Sequence, residues 1–189
     1  MKSREQPEHH LLRLFPIIGV LVPRYSGLKY SIHYVQIEGD ERLMQYCISD
    51  IHGEFDRYQA MLEEIHLSDD DTLYVIGDVI DRAPGGIDVL EDIMARKNVV
   101  MLMGNHEQMC LDTLGKNNVY GARQLWAATG GSVTRRELLY HMDARRRNAI
   151  LNFLSSLPDN LDIEVNGRRF HLVHGCPGAV SYTHLTLPT

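Results

Sequence analysis

Residues 72–82 read Thr-Leu-Tyr-Val-Ile-Gly-Asp-Val-Ile-Asp-Arg, a short apolar run that ends abruptly in a polar cluster. An apolar run of this length, closed by a glycine, is typical of a buried β-strand. An apolar run followed by polar residues also occurs before and after this segment of the sequence. Residues 45–49 lead into Asp-Ile-His at 50–52, and residues 99–103 lead into Gly-Asn-His-Glu at 104–107. Because ligands of open α/β sheets bind at the carboxyl ends of strands, the three clusters predict one shared cleft.

Amphipathic helical patterns lie between these strands, over Phe55–Ile65 and Ile87–Arg96. Strands that alternate with helices predict βαβ units, a largely parallel sheet and therefore an α/β fold. The later part of the chain predicts a helical block and then a hairpin around Asn166-Gly167. The predicted helices are His106–Leu114, Ala122–Thr129, Thr134–His141 and Ala144–Leu157, and the predicted hairpin strands are Leu161–Val165 and Arg168–Val173.

The composition of the 189 residues is that of a globular domain, with 44% hydrophobic residues and a net charge of −6. Binding to a nucleic-acid backbone needs a basic surface, so we expect no nucleic-acid partner. The apolar stretch Leu11–Val22 is too short and too interrupted to span a bilayer, so we expect no membrane association. Cys47 and Cys110 lie in apolar patterns without a pairing motif, which predicts buried free thiols and a reducing, cytoplasmic location.

The two ends of the chain differ from the segment between them. Residues 1–43 show no sustained period, whereas Met44 opens a clean strand pattern, so we expect Met44 to be the native first residue. At the other end, Ser181–Thr189 matches the translation of a transposon-type sequencing adapter residue by residue, and we exclude 180–189 from fold prediction as an adapter scar. The hypothesis leaves a partial domain over 44–179, with the native protein continuing past that point.

The side chains at the strand ends are carboxylates, imidazoles and amides, with no thiolate among them. This donor set suits a borderline-hard divalent ion such as Mn²⁺, Fe²⁺ or Zn²⁺, and it argues against a structural zinc site. Burial of Asn, His and Glu together after an apolar run is unfavourable unless partners satisfy them. The pattern therefore predicts a metal site in the cleft.

The polar motifs follow one another in the order Asp50-x-His52, Gly77-Asp78-x-x-Asp81-Arg82, Gly104-Asn105-His106-Glu107 and His174. This series resembles the calcineurin-like metallophosphoesterases. Gly-Asn-His-Glu, where many relatives have Gly-Asn-His-Asp, is similar to the serine/threonine phosphoprotein phosphatase branch. Trp126 with Gly130-Gly131 downstream is similar to its lambda-phage and bacterial type. The resemblance covers about 44–177 and implies a four-layer α/β/β/α sandwich, here incomplete at the C-terminus.

The resemblance also implies a role for each matching residue. Two divalent metal ions, with Mn²⁺ favoured and Fe or Zn as alternatives, would stabilise the attacking and leaving oxygens and lower the pKa of a shared water. Hydroxide would then exist near neutral pH. His106, oriented by Asp81, would protonate the leaving group, while Arg82 and Asn105 would bind the phosphate. The metal ligands would be Asp50, His52, Asp78 (bridging both ions), Asn105 and His174.

The function implied by the resemblance is hydrolysis of phosphomonoesters, with a phosphorylated protein or a small phosphoester as substrate. A dinucleoside tetraphosphate hydrolase of the same superfamily is an alternative, because residues 82–85 read Arg-Ala-Pro-Gly and resemble its Arg-Gly-Pro-Gly. Asp81 and Glu107 argue against that alternative. A non-catalytic binding module is a second alternative, although such proteins usually lose one of the residues matched here by Asp78, Asn105 and His106.

Two departures from the family pattern stand out. Ala83 occupies the position after Asp-Arg where the phosphatase pattern has glycine, so we expect a slightly different turn there. The family's later Gly-His motif and second phosphate-binding arginine have no counterpart up to residue 179. We therefore expect one metal-binding imidazole to be lacking from this chain.

Deletion of residues 1–43 tests the expected start at Met44. If these residues are not part of the native domain, the melting temperature and the metal affinity of the shortened chain will match those of the full chain. Thermal unfolding followed by circular dichroism is the measurement. A fall of more than a few degrees would instead indicate that the segment packs on the domain, for example through an edge strand formed by Lys29–Ile37.

Overall fold

A four-stranded sheet organises the protein, whose computed structural model describes residues 33–37, 44–115, 119–165 and 167–175. Its strands, in their order across the sheet, are β1 (His33–Ile37), β2 (Gln45–Ser49), β3 (Thr72–Ile76) and β4 (Val99–Leu102). β2, β3 and β4 run parallel, and β1 pairs with β2 in antiparallel register. The predicted parallel sheet is therefore confirmed.

Six described helices cover one face of this sheet, and their bounds differ from the predicted ones by at most two residues. Each helix contributes buried side chains to the same core, among them Tyr58, Leu90 and Trp126, all with 0% exposure. The longest has 12 residues, and no described helix is long and apolar enough to cross a bilayer. The helices are α1 (Phe55–Glu64), α2 (Gly86–Ala95), α3 (Asn105–Leu114), α4 (Ala122–Ala128), α5 (Ser132–Tyr140) and α6 (Ala144–Ser155).

A second, two-stranded sheet covers the opposite face. It consists of β5 (Asn160–Val165) and β6 (Arg168–Val173) in antiparallel register. A separate apolar core joins the two sheets and includes Leu102 from β4 and Leu172 from β6, both with 0% exposure. Parallel strands covered on both faces explain why β2, β3 and β4 are nearly continuous apolar runs. The described residues thus form three layers of the α/β/β/α order, and the fourth has no described residues.

The edge strand β1 overlaps Lys29–Ile37, the segment that the sequence offered as an alternative to a non-native start. All five of its residues pair with β2, from His33 opposite Ser49 to Ile37 opposite Gln45. An edge strand shields the hydrogen-bonding groups of the strand beside it. The assignment of 1–43 as a non-native segment stays a prediction. If the pairing of β1 with β2 stabilises the domain, deletion of 1–43 will lower the melting temperature. The proposed adapter segment, 180–189, lies outside the described residues.

The thiols of Cys47 and Cys110 are both buried and free, as predicted, while Cys176 lies outside the described residues. Burial raises the pKa of Cys47 to about 12. Burial also raises the pKa of Cys110 well above its ordinary value, and the nearby carboxylates of Asp81 and Glu107 add to the shift. Neither thiol is therefore a nucleophile near neutral pH, because the thiolate is the reactive form.

Candidate metal centre

All eight side chains that the sequence assigned to the site lie beyond the carboxyl ends of β2, β3, β4 and β6. The turn after β2 carries two of them, the turn after β3 three, the first turn of α3 two, and the end of β6 one. Parallel strands present their carboxyl ends at the same edge, which explains the convergence. The residues are Asp50, His52, Asp78, Asp81, Arg82, Asn105, His106 and His174.

Asp78 lies at the centre of this group, with its carboxylate facing three imidazoles. Its Oδ2 is 3.7 Å from His52 Nε2 and 3.9 Å from His106 Nε2, and its Oδ1 is 3.3 Å from His174 Nε2. Asp78 is only 3% exposed. One ligand atom each from His52, Asp78 and His106 falls within 4.8 Å of the others, a spacing that a single metal ion could bridge.

Asp50 and Asn105 extend the cluster on either side of Asp78. Asp50 Oδ1 lies 3.6 Å from His52 Nε2, and its other oxygen accepts a hydrogen bond from the Ser49 hydroxyl. Asn105 Oδ1 lies 3.0 Å from His174 Nε2. The side chain of Asp50 is 58% exposed, whereas that of Asp78 is 4% exposed. Asn105 is exposed as well, so the cluster opens to solvent at both of these residues.

The hydrogen bonds of the two outer histidines fit a metal ion. The Nδ1 atom of His52 lies 3.1 Å from the Ile80 carbonyl oxygen, and that of His174 lies 2.7 Å from the Ile76 carbonyl oxygen. A carbonyl only accepts, so each Nδ1 carries the proton and each Nε2 is left to face the carboxylates. This backbone-anchored arrangement is usual for metal-binding histidines. His52 Nε2 is moreover buried without any hydrogen-bond partner, which a cation would explain.

Electrostatic coupling shifts the pKa values of the clustered groups. Burial alone would lower the pKa of His174, but its hydrogen bond and charge interaction with Asp78 outweigh burial and raise the pKa to about 9. The interaction with His52, whose Nε2 lies 3.6 Å away, leads those that lower the pKa of Asp50 to about 2. Burial opposes the shift at Asp78, yet His174 and His106 lower that pKa as well. Both carboxylates are thus ionised at neutral pH, as metal ligands must be.

The backbone at the site adopts left-handed conformations that non-glycine residues rarely adopt. Such a conformation costs about 1–2 kcal/mol per residue, and it persists only where surrounding contacts enforce it. Hydrogen bonds between the turns supply such contacts: His52 N donates to Asp78 O at 2.9 Å, and Gly53 N donates to Val79 O at 2.8 Å. The non-glycine site residues with positive φ are Asp50 (57°), His52 (47°), Asp78 (55°), Asp81 (75°) and Arg82 (67°).

Glu107 holds the turn after β3 in place from inside the protein. Its carboxylate is completely buried and accepts backbone N–H bonds from Asp78 (2.8 Å), Val79 (2.9 Å), Ile80 (3.2 Å) and Gly104 (3.1 Å). Burial and the charge of Asp78 raise the pKa of Glu107, while these N–H bonds oppose the rise. A side chain at Gly104 would begin 2.3 Å from the Asp78 nitrogen, so only glycine permits this approach.

His106 and Asp81 form a buried pair behind the cluster. His106 Nδ1 lies 2.6 Å from Asp81 Oδ2, so the Nδ1–H donates to the carboxylate. The opposite nitrogen, Nε2, faces Asp78 and lies 3.5 Å from Arg82 Nη2. A carboxylate-oriented imidazole can serve as a proton donor or as a metal ligand. The arrangement is compatible with both roles.

The expected change of the turn at Ala83 is small. The left-handed residues of this turn are Asp81 and Arg82, and Ala83 has no positive φ. The Ala83 N–H donates to Asp81 O at 2.8 Å and to His52 O at 3.1 Å. A methyl group is therefore accepted where the phosphatase pattern has glycine.

Two further side chains contact Asp81 that the sequence did not assign to the site. The indole nitrogen of Trp126 donates to Asp81 Oδ2 at 2.6 Å, and the Thr134 hydroxyl accepts from the Asp81 N–H at 3.0 Å. Trp126 is a core residue with 0% exposure. A buried indole N–H needs a hydrogen-bond acceptor, and this requirement was the one feature of the sequence that could have linked Trp126 to the site. No feature of the sequence pointed to Thr134.

A protein-family model and several curated proteins match this chain. The family model described as calcineurin-like phosphoesterase matches residues 46–184. Proteins of Salmonella paratyphi B and Salmonella typhimurium, both named bis(5'-nucleosyl)-tetraphosphatase, symmetrical, are 41% identical to this chain over 64 residues. The match covers 33% of this chain and 23% of each relative. The chain therefore aligns with about a quarter of the length of these relatives.

Solved structures with partial similarity come from several branches. A metallophosphoesterase from Sphaerobacter thermophilus is 19% identical, with a TM-score of 0.43, covering 64% of this chain and 43% of that chain. A protein serine/threonine phosphatase from Saccharomyces cerevisiae is 19% identical, with a TM-score of 0.42, covering 60% and 33%. A putative diadenosine tetraphosphatase is also 19% identical, with a TM-score of 0.39, covering 60% and 42%. Likenesses of this size do not discriminate between substrates.

Replacement of Glu107 by Gln should destabilise the protein markedly. The amide would turn an N–H₂ group towards backbone N–H donors and remove a charge that several bonds share. Hydrogen bonds to a charged group contribute roughly 1.5–3 kcal/mol each, so we expect a loss on the order of 3 kcal/mol in the free energy of unfolding. Urea denaturation measures it. The control is Glu91→Gln, which weakens an exposed pair with Arg146 and should cost less than about 1 kcal/mol.

Proposed function

The chain belongs to the calcineurin-like phosphoesterase family, and we propose that it is a metal-dependent phosphomonoester hydrolase of the protein serine/threonine phosphatase type. One observation carries the proposal. Asp78 lies among three imidazoles at the carboxyl-terminal edge of the sheet. One of these, His106, donates a hydrogen bond to the buried carboxylate of Asp81. Binding, charge stabilisation and proton transfer can therefore occur within a single cleft.

The proposed ligands divide into two sets that share Asp78. Asp50, His52 and Asp78 would hold one ion, and Asp78, Asn105 and His174 would hold the other. When bound, two divalent ions stabilise charge on the phosphate oxygens and lower the pKa of water for attack on phosphorus. Mn²⁺ is the proposed metal, with Fe or Zn as alternatives, because the donors are oxygen and nitrogen without thiolate.

The remaining residues bind the substrate and transfer the proton. The Arg82 guanidinium and the Asn105 amide would donate to phosphate oxygens, a task for which planar arginine is well suited. His106 would donate the Nε2 proton to the leaving alkoxide oxygen. Asp81 accepts the Nδ1–H of that ring, and its negative charge stabilises the imidazolium that donates.

The choice of substrate rests on opposing observations. Asp81 and Glu107 favour a phosphorylated protein or a small phosphomonoester, because the phosphatase pattern contains both residues. The identity of 41% to symmetrical bis(5'-nucleosyl)-tetraphosphatases over 64 residues favours a dinucleoside tetraphosphate, and this is our second candidate.

Buried free thiols support the proposed cytoplasmic location, and the net charge of −6 supports the absence of a nucleic-acid partner.

Replacement of Asp78 by Asn should remove nearly all turnover. An amide oxygen lacks the charge needed to hold two cations, so both metal sites should weaken together. We expect less than about a tenth of the wild-type rate with Mn²⁺, measured with p-nitrophenyl phosphate, and weaker metal binding by calorimetry. Asp162→Asn, an exposed carboxylate on β5, is the control and should behave as wild type. A variant at residue 78 that keeps more activity would exclude the bridging role.

Replacement of His106 by Asn should affect substrates unequally. Proton donation contributes roughly 10²–10⁴-fold to the rate when the leaving group is an alkoxide. We therefore expect a loss in that range on phosphoserine and a much smaller one on p-nitrophenyl phosphate, whose leaving group needs no proton. The exposed His141→Asn is the control. Equal losses on both substrates would assign His106 to the metal ligands instead.

Product analysis separates the two candidate substrates. The metal-loaded protein should release free phosphate from a phosphoserine peptide. If the second candidate is right, diadenosine tetraphosphate will yield ADP while the peptide stays intact. Chromatography of the nucleotides and a phosphate assay on the same preparation decide between them, with Asp78→Asn as the background control for both.

A further inference from the structure

Residues 126–134, which join the end of α4 to the start of α5, form a bracket around the Asp81–Arg82 turn. Trp126 Nε1 donates to the Asp81 carboxylate at 2.6 Å, and the Thr134 hydroxyl accepts from the Asp81 N–H at 3.0 Å. The Gly130 carbonyl accepts from the Arg82 N–H at 3.2 Å. Both residues of the turn have positive φ, so the 126–134 bracket holds a strained segment by three separate hydrogen bonds.

The bond from Trp126 ends on the same oxygen that His106 uses. Asp81 Oδ2 lies 2.6 Å from both Trp126 Nε1 and His106 Nδ1, while Asp81 Oδ1 is buried without a hydrogen-bond partner. Two donors that meet at one oxygen fix the rotation of the carboxylate about its Cβ–Cγ bond. Without the indole, the carboxylate could turn about that bond and carry Oδ2 out of line with the His106 Nδ1–H, so the ring would be held less firmly.

The indole is itself held rigidly. A Cβ atom at residue 131 would lie 2.2 Å from both Cδ1 and Nε1 of Trp126, so the ring edge rests directly on the Gly131 backbone. The Gly131 N–H donates to the Trp126 carbonyl at 2.8 Å. Since Trp126 is 0% exposed, its N–H has no route to solvent and points only at Asp81.

We propose that Trp126 is a positioning residue for proton donation: its indole N–H fixes the Asp81 carboxylate, which in turn aims His106 Nε2 into the cleft. The inference rests on the proposed function, because it assigns a purpose to the orientation of His106. It also makes the helices α4 and α5, which contribute no metal ligand, part of the machinery that delivers the proton.

The first test uses the fact that the chain contains one tryptophan, whose indole N–H gives one signal in a ¹H–¹⁵N spectrum. The 189-residue chain is measured with Zn²⁺, because Mn²⁺ would broaden the signals. We expect a low-field signal that exchanges slowly with solvent and moves in Asp81→Asn. The matched control is Asp92→Asn, since Asp92 accepts from the buried Tyr58 hydroxyl at 2.8 Å outside the site, and it should leave the signal in place.

The second test follows the effect on His106. The ring ¹⁵N signals of His106 should move in Trp126→Phe but not in Tyr58→Phe, which removes a comparable aromatic-to-carboxylate bond, the one from Tyr58 to Asp92. In kinetics, Trp126→Phe should lower kcat for phosphoserine by about tenfold or more, a part of the roughly 10²–10⁴-fold that proton donation contributes. KM and the rate on p-nitrophenyl phosphate should change little.

Several results would overturn the proposal. They are an indole signal unmoved by Asp81→Asn, His106 signals that respond equally to Trp126→Phe and Tyr58→Phe, or equal losses on both substrates. If Trp126→Phe does not fold, the indole signal in Asp81→Asn still decides whether the bond exists. If the wild-type protein hydrolyses neither substrate, the proposed function fails, while the two sets of spectra still decide whether Trp126 holds Asp81 and His106.

Discussion

The site depends on one buried carboxylate that binds backbone rather than ligand. Glu107 accepts four N–H bonds and so ties the turn after β3 to the start of α3. Asp78 then faces the N-terminus of α3, where His106 N donates to its Oδ1 at 3.1 Å. A buried charge is tolerated only when hydrogen bonds satisfy it. The negative charge of Glu107 thus both requires and enforces the geometry in which the polar turns meet.

Local patterns in the sequence predicted most of the fold, because the elements of this α/β core have short-range signatures. Short apolar runs closed by a polar residue or a glycine predicted β2 and β3 with their observed bounds, and the 3.6-residue period predicted the helices to within two residues. The convergence of the site followed from a topological rule: parallel strands end at one edge. That rule needs no knowledge of any individual contact.

Contacts between distant parts of the chain could not be predicted in this way. Trp126 and Thr134 reach Asp81 from 45 and 53 residues away, and no period or spacing encodes such an approach. The sequence offered an edge strand over Lys29–Ile37 only as an alternative, and its pairing with β2 was not predictable because residues 33–37 lie in a stretch without a clear pattern. Glu107 was visible as part of a motif, but its role as a backbone acceptor became apparent only from the distances to four nitrogens.

The left-handed backbone at the site bears on how this protein can change over time. Five non-glycine residues occupy conformations that glycine would adopt without strain. Selection for thermal stability alone would favour glycine at these positions, and each such exchange would delete a side chain proposed to bind metal, to bind phosphate or to orient His106. The strained backbone therefore lowers stability at the positions that carry the functional side chains, which is a trade-off between stability and activity. Laboratory evolution towards heat resistance, without a screen for turnover, would be expected to erode this edge of the sheet first.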